Sequence, residues 1–336
     1  MADIDTAVKN VVTQTTTVSL TPGYEGANIG TYIGFKHVNY LVEKAVIEHF
    51  RRQGLPVGGL YESYGLGFDL VELEARLRGG VFVDDEAELE VKPVTGDDDT
   101  AFRFKVAITV LRDGEPKKIV TASAAAVLRR DEDDRRLPGR VPAPAVLDRF
   151  TVATLGTPEP GEVVPGTDGE QLRSGGTADR DPVLDQLLAG RNGYGWKFRI
   201  PYPYVHYFSR MHMSAYLRQM EEAKHRFVDA RGISIGAQLA ERNWIPAVTH
   251  SRIEILGEAL LEEDLYTVYT VESFFKNLLY TARMDCCVVR DGRLAQVATG
   301  VITHGYGVVE NGNQARVVAW DDRIDRALKG LPGEES

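Results

Sequence analysis

Apolar side chains recur at helical spacing at Val38, Leu41, Val42, Ala45, Val46 and Phe50, and the pattern stops at Gly54, just after Arg51 and Arg52. Three- and four-residue spacing with cations and then glycine at the end predicts an amphipathic helix that stops there. Beyond it the period changes to two. The runs FDLVELEARLR, EAELEVKPV, AFRFKVAITVLRDG and KKIVTASAAAVLRR alternate or are rich in β-formers, and Gly, Asp and Pro separate them. They predict four strands of an antiparallel sheet. The same order returns later in the chain. Tyr216, Leu217, Met220, Ala223, Phe227 and Val228 form a second helical stripe ending at Gly232, followed by apolar runs at 249–256, 265–271, 278–289 and 294–304.

The two passages lie in register. A shift of 178 takes Glu43 to Glu221, Ala45 to Ala223, Gly54 to Gly232, Gly58 to Gly236 and Gly79 to Gly257. It also takes Val110, Arg112, Asp113 and Gly114 to Val288, Arg290, Asp291 and Gly292, and Thr121 to Thr299. An Asp-Gly pair between two apolar runs marks a tight hairpin turn. A register that does not drift over about 80 residues reads as an internal duplication. The expected organisation is an N-terminal extension over 1–14, one copy over 15–130, a crossover over 131–192, a second copy over 193–310 and a tail over 311–336. The crossover is acidic and then rich in Pro and Gly, apart from one apolar stretch, VLDQLL. That composition gives no core of its own and predicts a long connection. The terminal LPGEES is expected to fray.

Composition narrows the function classes. Among 336 residues, 43% are hydrophobic and 26% charged, as in an ordinary globular protein. Lys and Arg number 39 against 49 Asp and Glu, a formal charge of −10, so nucleic acid is not an expected partner. The cysteines Cys286 and Cys287 are adjacent in an apolar run, where alternation would turn them to opposite faces. Neither a disulfide framework nor a zinc site is encoded. The first twenty residues lack a secretory pattern, and no stretch is apolar and long enough to span a bilayer. A cytoplasmic protein without a membrane partner is expected. The glycines of GLYESYGLGF, Gly65 and Gly67, follow no strand in the manner of a dinucleotide fold, so they read as a flexible approach to a groove. There is no G-x-S-x-G elbow, metal-ligand spacing or nucleotide loop, and no cofactor is expected.

One long helix followed by a curved antiparallel sheet, present twice, resembles the hotdog fold in its double form, an α+β architecture in which each sheet wraps a central helix. Hotdog thioesterases carry a pattern written D-x-x-G-H-x-N-N-x-x-Y-L-x-x-x-E-E-A. The second copy, HYFSRMHMSAYLRQMEEA, is similar to its helical half at Tyr216, Leu217, Glu221, Glu222 and Ala223. The first copy, NIGTYIGFKHVNYLVEKA, is similar at Glu43 and Ala45. Ten positions before Tyr216, where the family has its acidic residue, stands His206; the equivalent position in the first copy is Asn28. The resemblance spans roughly residues 15 to 130 and 193 to 308. It implies an acyl-CoA or acyl-carrier-protein thioester as partner and substrate, and a thioesterase activity in a monomer or homodimer. Loss of the acid in both copies leaves open addition or elimination on an α,β-unsaturated ester, or a binding protein without catalysis.

That chemistry requires donors for a developing oxyanion and a group that moves a proton. The first turn of a helix supplies both unpaired N–H groups and a positive dipole end. The candidate helix starts are 30–36, with Gly34, and 209–214, with Ser209 and Met211. His206 is the candidate general base, since imidazole titrates near neutrality; it could instead hydrogen-bond within the Tyr-rich stretch IPYPYVHYF. Glu221 and its counterpart Glu43 are candidate partners or bases, and Asn28 could orient water or a carbonyl but cannot accept a proton. Tyr32, His37 and Asn39 in the first copy, and Tyr207 and His212 in the second, complete the donor-rich turns. His225 and His250 read as surface or sheet residues, and His304 has no assigned role.

Overall fold

The computed structural model describes residues 3–132, 139–164, 181–310 and 314–332. Its contacts divide the chain into two compact units, Met1–Gly156 and Thr157–Ser336.

The first unit begins with helix α1 (Ile4–Thr13) and strand β1 (Thr16–Leu20), then a small hairpin, β2 (Ala27–Ile29) and β3 (Tyr32–Ile33). The long helix α2 (Phe35–Arg52) and the short α3 (Val57–Tyr64) follow. Strands β4 (Leu66–Leu77), β5 (Ala87–Pro93), β6 (Phe102–Arg112) and β7 (Glu115–Arg130) come next, and β8 (Thr151–Val152) closes the unit. The antiparallel order is β1-β5-β6-β7-β4, with β8 parallel to the end of β7. The buried stripe of α2, Val38, Leu41, Val42, Ala45, Val46 and Phe50, is the one that periodicity predicts. Phe50 anchors the core, its ring 5.0, 4.9 and 5.8 Å from those of Phe68, Phe102 and Phe104. Each such ring contributes on the order of 2 kcal/mol by leaving water.

The second unit opens with α4 (Pro182–Leu188) and β9 (Gly193–Arg199), followed by the hairpin β10 (Val205–His206) and β11 (Arg210–Met211). The long helix α5 (Met213–Ala230) and the short α6 (Ile235–Arg242) precede β12 (Trp244–Ile255), β13 (Asp264–Phe275), β14 (Leu279–Arg290) and β15 (Arg293–Glu310). Strand β16 (Gln314–Val318) and α7 (Asp322–Lys329) end it. The order β12-β15-β14-β13-β9 is antiparallel, with β16 on β15.

The pairings of the two sheets correspond at the offset found in the sequence. Phe102 faces Ala126 as Tyr280 faces His304, and Val91 faces Val106 as Tyr269 faces Met284. A bulge between Leu70 and Glu72 corresponds to one between Val248 and His250. Both Asp-Gly turns have two left-handed residues, Asp113 and Gly114 at φ 55° and 81°, Asp291 and Gly292 at 51° and 68°, the geometry that lets a two-residue hairpin follow strand twist.

Several expectations need correction. GLYESYGLGF is not a flexible approach: Val57–Tyr64 is helix, Gly65 ends it at φ 67°, and β4 begins at Leu66. The N-terminal extension folds as α1, burying Ala7, Val8 and Val11. The crossover segment contributes to both cores, since Leu147 and Phe150 are buried, with Phe150 stacked on Phe102 at 3.8 Å. Val164 and Val183 pack with Tyr266, Cys287 and Leu294. Residues 133–138 and 165–180 of that segment lie outside the described residues, as do 333–336 of LPGEES. Within the described part of the tail, β16 and α7 are regular and Trp320, Ile324 and Leu328 are buried. These elements were missed because short pieces give too few periods to register. Cys286 and Cys287 are both buried and free, because β14 carries a bulge between them and the α4 side covers the second. Among the described residues, no helix is long and apolar enough to cross a membrane.

Candidate active site

Each long helix is entered from a tight hairpin, and the candidate residues gather there. In the first unit the Gly34 N–H donates to Gly26 C=O at 2.8 Å, and the N–H groups of His37 and Val38 turn back to Gly34 C=O at 3.0 and 3.2 Å. Gly34 is the N-cap and supplies no side-chain cap. Capping oxygens normally satisfy first-turn donors, and Gly34, having no side chain, cannot supply one itself at the positive end of the α2 dipole. His37 is buried beneath the turn with Nε2 3.7 Å from Glu25 Oε1 and its ring 5.0 Å from that of Tyr40. Gly26 is needed here, because a Cβ on it would come within 2.8 Å of His37.

The other first-unit candidates divide by place. Asn28 is exposed in β2. Tyr32 packs its ring 4.6 Å from Phe82, and burial raises its phenol above the ordinary range. Asn39 is fully buried and donates from Nδ2 to Phe35 C=O at 2.9 Å, which ties it to its own helix. Glu43 is half-buried eight residues beyond Phe35, about 12 Å along the axis, and so does not lie at the helix start.

In the second unit His206 and His212 bracket a turn, their rings 5.6 Å apart. Tyr207 and Phe208 both take left-handed conformations, φ 44° and 71°, and the Ser209 N–H donates to His206 C=O at 3.2 Å. Non-glycine residues in this region cost on the order of 1 kcal/mol each or more, and such strain concentrates at functional sites. The turn is braced from below: the Tyr207 ring lies 4.6 Å from His206, and the buried Arg210 guanidinium sits 4.8 Å over its centre. Ser209 and Met211 complete the turn, with Met211 buried in β11. His212 is itself the N-cap of α5, its Nδ1 accepting the Ala215 N–H at 3.1 Å. A neutral His212 therefore carries its proton on Nε2. The two helix starts thus differ at equivalent positions, with a glycine as cap residue in one and a histidine that caps through its ring in the other.

Glu221 lies eight residues into α5, half-buried, about 12 Å from the helix start. His225 is exposed and His250 sits at the β12 bulge. His304 is fully buried in β15, where burial and the neighbouring Lys224 hold its imidazole well below the usual value. Glu25 and Arg210 were not singled out by sequence reasoning. Glu25 lies in the single 3-10 turn Tyr24–Gly26 just before the first hairpin and Arg210 in the second hairpin, and that position ahead of each long helix is the signal that could have found them. Among the described residues, no group of three His, Cys, Asp or Glu could hold a metal ion.

Comparison with solved structures identifies the architecture. The fold aligns with an acyl-ACP thioesterase from Bacteroides thetaiotaomicron at TM-score 0.51 and 10% identity, covering 88% of this chain and 98% of that one. It aligns with the 12:0-ACP thioesterase from Umbellularia californica at TM-score 0.54 and 10% identity, covering 90% and 98%. The chain has the double hotdog fold. No family model matches the sequence, and no curated protein does. The hairpins described above therefore sit where each hotdog helix begins.

Proposed function

We propose that the chain is an acyl-thioester hydrolase acting on an acyl-CoA or acyl-carrier-protein ester, with the working groups at the second hairpin-to-helix turn. The observation that carries this reading is the His206–His212 pair, 5.6 Å apart on a strained turn, with the tautomer of His212 set by its cap bond. His206 takes a proton from water, and the hydroxide oxygen adds to the thioester carbonyl carbon. The developing oxyanion accepts from His212 Nε2–H and from backbone donors at the helix start. The carbon–sulfur bond then breaks, and the thiolate leaves with the proton returned by His206. The first-unit turn, with Asn28 at the position of the base, orients rather than deprotonates. Solved hotdog thioesterases with the same fold over most of the chain support a hydrolytic reading. We further infer that the two units arose by duplication, supported by pairings that correspond at one offset.

Histidine rather than a carboxylate at the expected acidic position also suits addition or elimination chemistry, so the test separates products. A panel of saturated and α,β-unsaturated acyl-CoA esters is incubated with wild type and His206→Ala, and products are weighed by mass spectrometry. Free acid from wild type, reduced by about 10²- to 10⁴-fold in the variant, supports hydrolysis. A mass gain of water assigns addition instead, and no product from any ester with retained binding assigns a binding protein.

A further inference from the structure

The interior of the second unit is polar where the first is apolar. On α2 and its sheet, Val46, Val91, Phe102, Ala126 and Leu128 form part of a buried apolar core. At the equivalent positions, 178 residues on, stand Lys224, Tyr269, Tyr280, His304 and Tyr306, every one of them buried. The strand pairings at these positions are the same, so these are equivalent places and not a shift of register. Among the described residues, Lys224 Nζ, both ring nitrogens of His304 and the Tyr306 hydroxyl have no hydrogen-bond partner, and the Tyr269 and Tyr280 hydroxyls have at most each other. The rings are held in place: Tyr280 stacks on His304 at 5.2 Å, Tyr269 lies 6.3 Å from His304 and 5.3 Å from Phe227, and Trp320 backs Tyr280 at 6.2 Å.

Buried polar atoms without partners are costly and rare in folded proteins. The fold does not require them here, because the first unit builds the same helix and register with Val, Phe, Ala and Leu. Five such residues converging on one region point to a guest that completes their hydrogen bonds. The polar row extends toward the helix start, since the buried Tyr216 hydroxyl in the first turn of α5 also has no partner among the described residues. Lys224 is eight residues beyond Tyr216, about 12 Å along the axis, a span of medium acyl-chain length. Between them Gln219 is buried and accepts from Thr267 at 3.3 Å. Gln219 also lines a cavity of about 240 Å³ between α5 and β9, beside Trp196, Tyr204 and Arg226.

We propose that the helix–sheet interior of the second unit receives the acyl chain of the thioester and selects chains that carry carbonyl or hydroxyl oxygens. The proposal rests on the thioester reading above. Tyrosine hydroxyls, an imidazole and an amine are predominantly donors, and oxygen substituents along a chain supply the acceptors they lack. A plain alkyl chain would leave the Lys224 amine, the His304 ring and the Tyr306 hydroxyl unpaired.

The test compares decanoyl-CoA with mono-oxo and mono-hydroxy derivatives of the same length, using the full chain and the variant Tyr269→Phe/Tyr280→Phe/Tyr306→Phe, which removes three oxygens and no carbon. Wild type should favour at least one oxygenated ester by about tenfold or more in kcat/KM, and the variant should bring the ratio close to one. Equal or faster turnover of decanoyl-CoA by wild type, or a ratio unchanged in the variant, overturns the proposal. If no ester is cleaved, the hydrolase reading fails separately, and calorimetry with decanoate and hydroxydecanoates decides this one. Binding of a hydroxy acid alone, lost in the variant, supports it; no binding, or binding indifferent to the variant, means that the polar atoms serve ordered water only. Should the triple variant not fold, Tyr280→Phe alone is read in the same way.

Discussion

Replacing Lys224 by methionine tests whether a cation has been placed in an interior that disfavours it. Lys224 is buried on α5, and loss of water around it draws its amine from 10.5 down to about 7, only partly opposed by Glu221 on the same helix. The unfolded chain therefore binds a proton more readily than the folded one at every pH between these values. Stability must rise with pH there, because deprotonation releases the unfavourable charge. Integrating that difference from pH 7 to pH 9.5 gives about 3 kcal/mol. The three tryptophans, Trp196, Trp244 and Trp320, all lie in the second unit, so their fluorescence during urea unfolding follows that unit by itself. Over this interval wild type should gain about 3 kcal/mol relative to Lys224→Met, a variant similar in size and uncharged that should exceed wild type at pH 7. The difference is read because burial also raises the Cys286 and Cys287 thiols of the same unit, which lowers the stability of both proteins alike at the alkaline end. Other groups facing the amine do not confound the interval: the His304 imidazole is already neutral, and burial moves the Tyr269 and Tyr280 phenols far above it. A wild-type profile parallel to that of the variant would refute the reasoning.

Further outcomes follow from the same structure. Gly26→Ala should weaken the start of α2 by about 1 to 3 kcal/mol, because its Cβ would come within 2.8 Å of His37; amide hydrogen exchange in the first turn of α2 is the readout. In the first unit His49 Nε2 donates to Val11 C=O at 2.9 Å while Nδ1 accepts from Thr16 Oγ1 at 2.7 Å, and burial lowers its basicity. A neutral imidazole is required for that pair of bonds, so the first unit should lose stability as pH falls below about 6.5, and His49→Phe should remove that slope in near-ultraviolet circular dichroism of its tyrosines. His212→Ala removes the cap of α5 and should cost about 1 kcal/mol by tryptophan fluorescence, and also lower kcat, whereas a purely structural cap would leave kcat unchanged.

Long apolar stripes and alternating runs were legible in the sequence, because α2, α5 and the strands of 11 to 18 residues, β6, β7, β14 and β15 among them, give many periods. The turns Asp113-Gly114 and Asp291-Gly292 were legible for a conformational reason, the left-handed pair that Asp-Gly tolerates. What escaped was short or depended on partners distant in sequence. The eight-residue α3 contains Gly58 and Gly59, which mask its helical pattern. The crossover hides Leu147 and Phe150 among Pro and Gly, and only the stacked Phe102 explains their burial. The two hairpin-to-helix turns were legible in the sequence, but not the contacts their polar side chains make. His212 looked like a reactive histidine, and the structure shows it capping Ala215; Asn39 looked like a donor to substrate, and it bonds Phe35. Lys224 sat unnoticed in an apolar stripe, since one charged residue at a helical period reads as a flank unless its counterpart, Val46, is set beside it.

The measurement that bears most directly on the central claim is the mass of the product formed from saturated acyl-CoA esters by wild type and by His206→Ala, with folding of both checked by tryptophan fluorescence. The account predicts free acid and free thiol from wild type, and a loss of about 10²- to 10⁴-fold in kcat in a folded His206→Ala. Free acid at an undiminished rate from that variant, or no free acid from wild type with any ester, would contradict it.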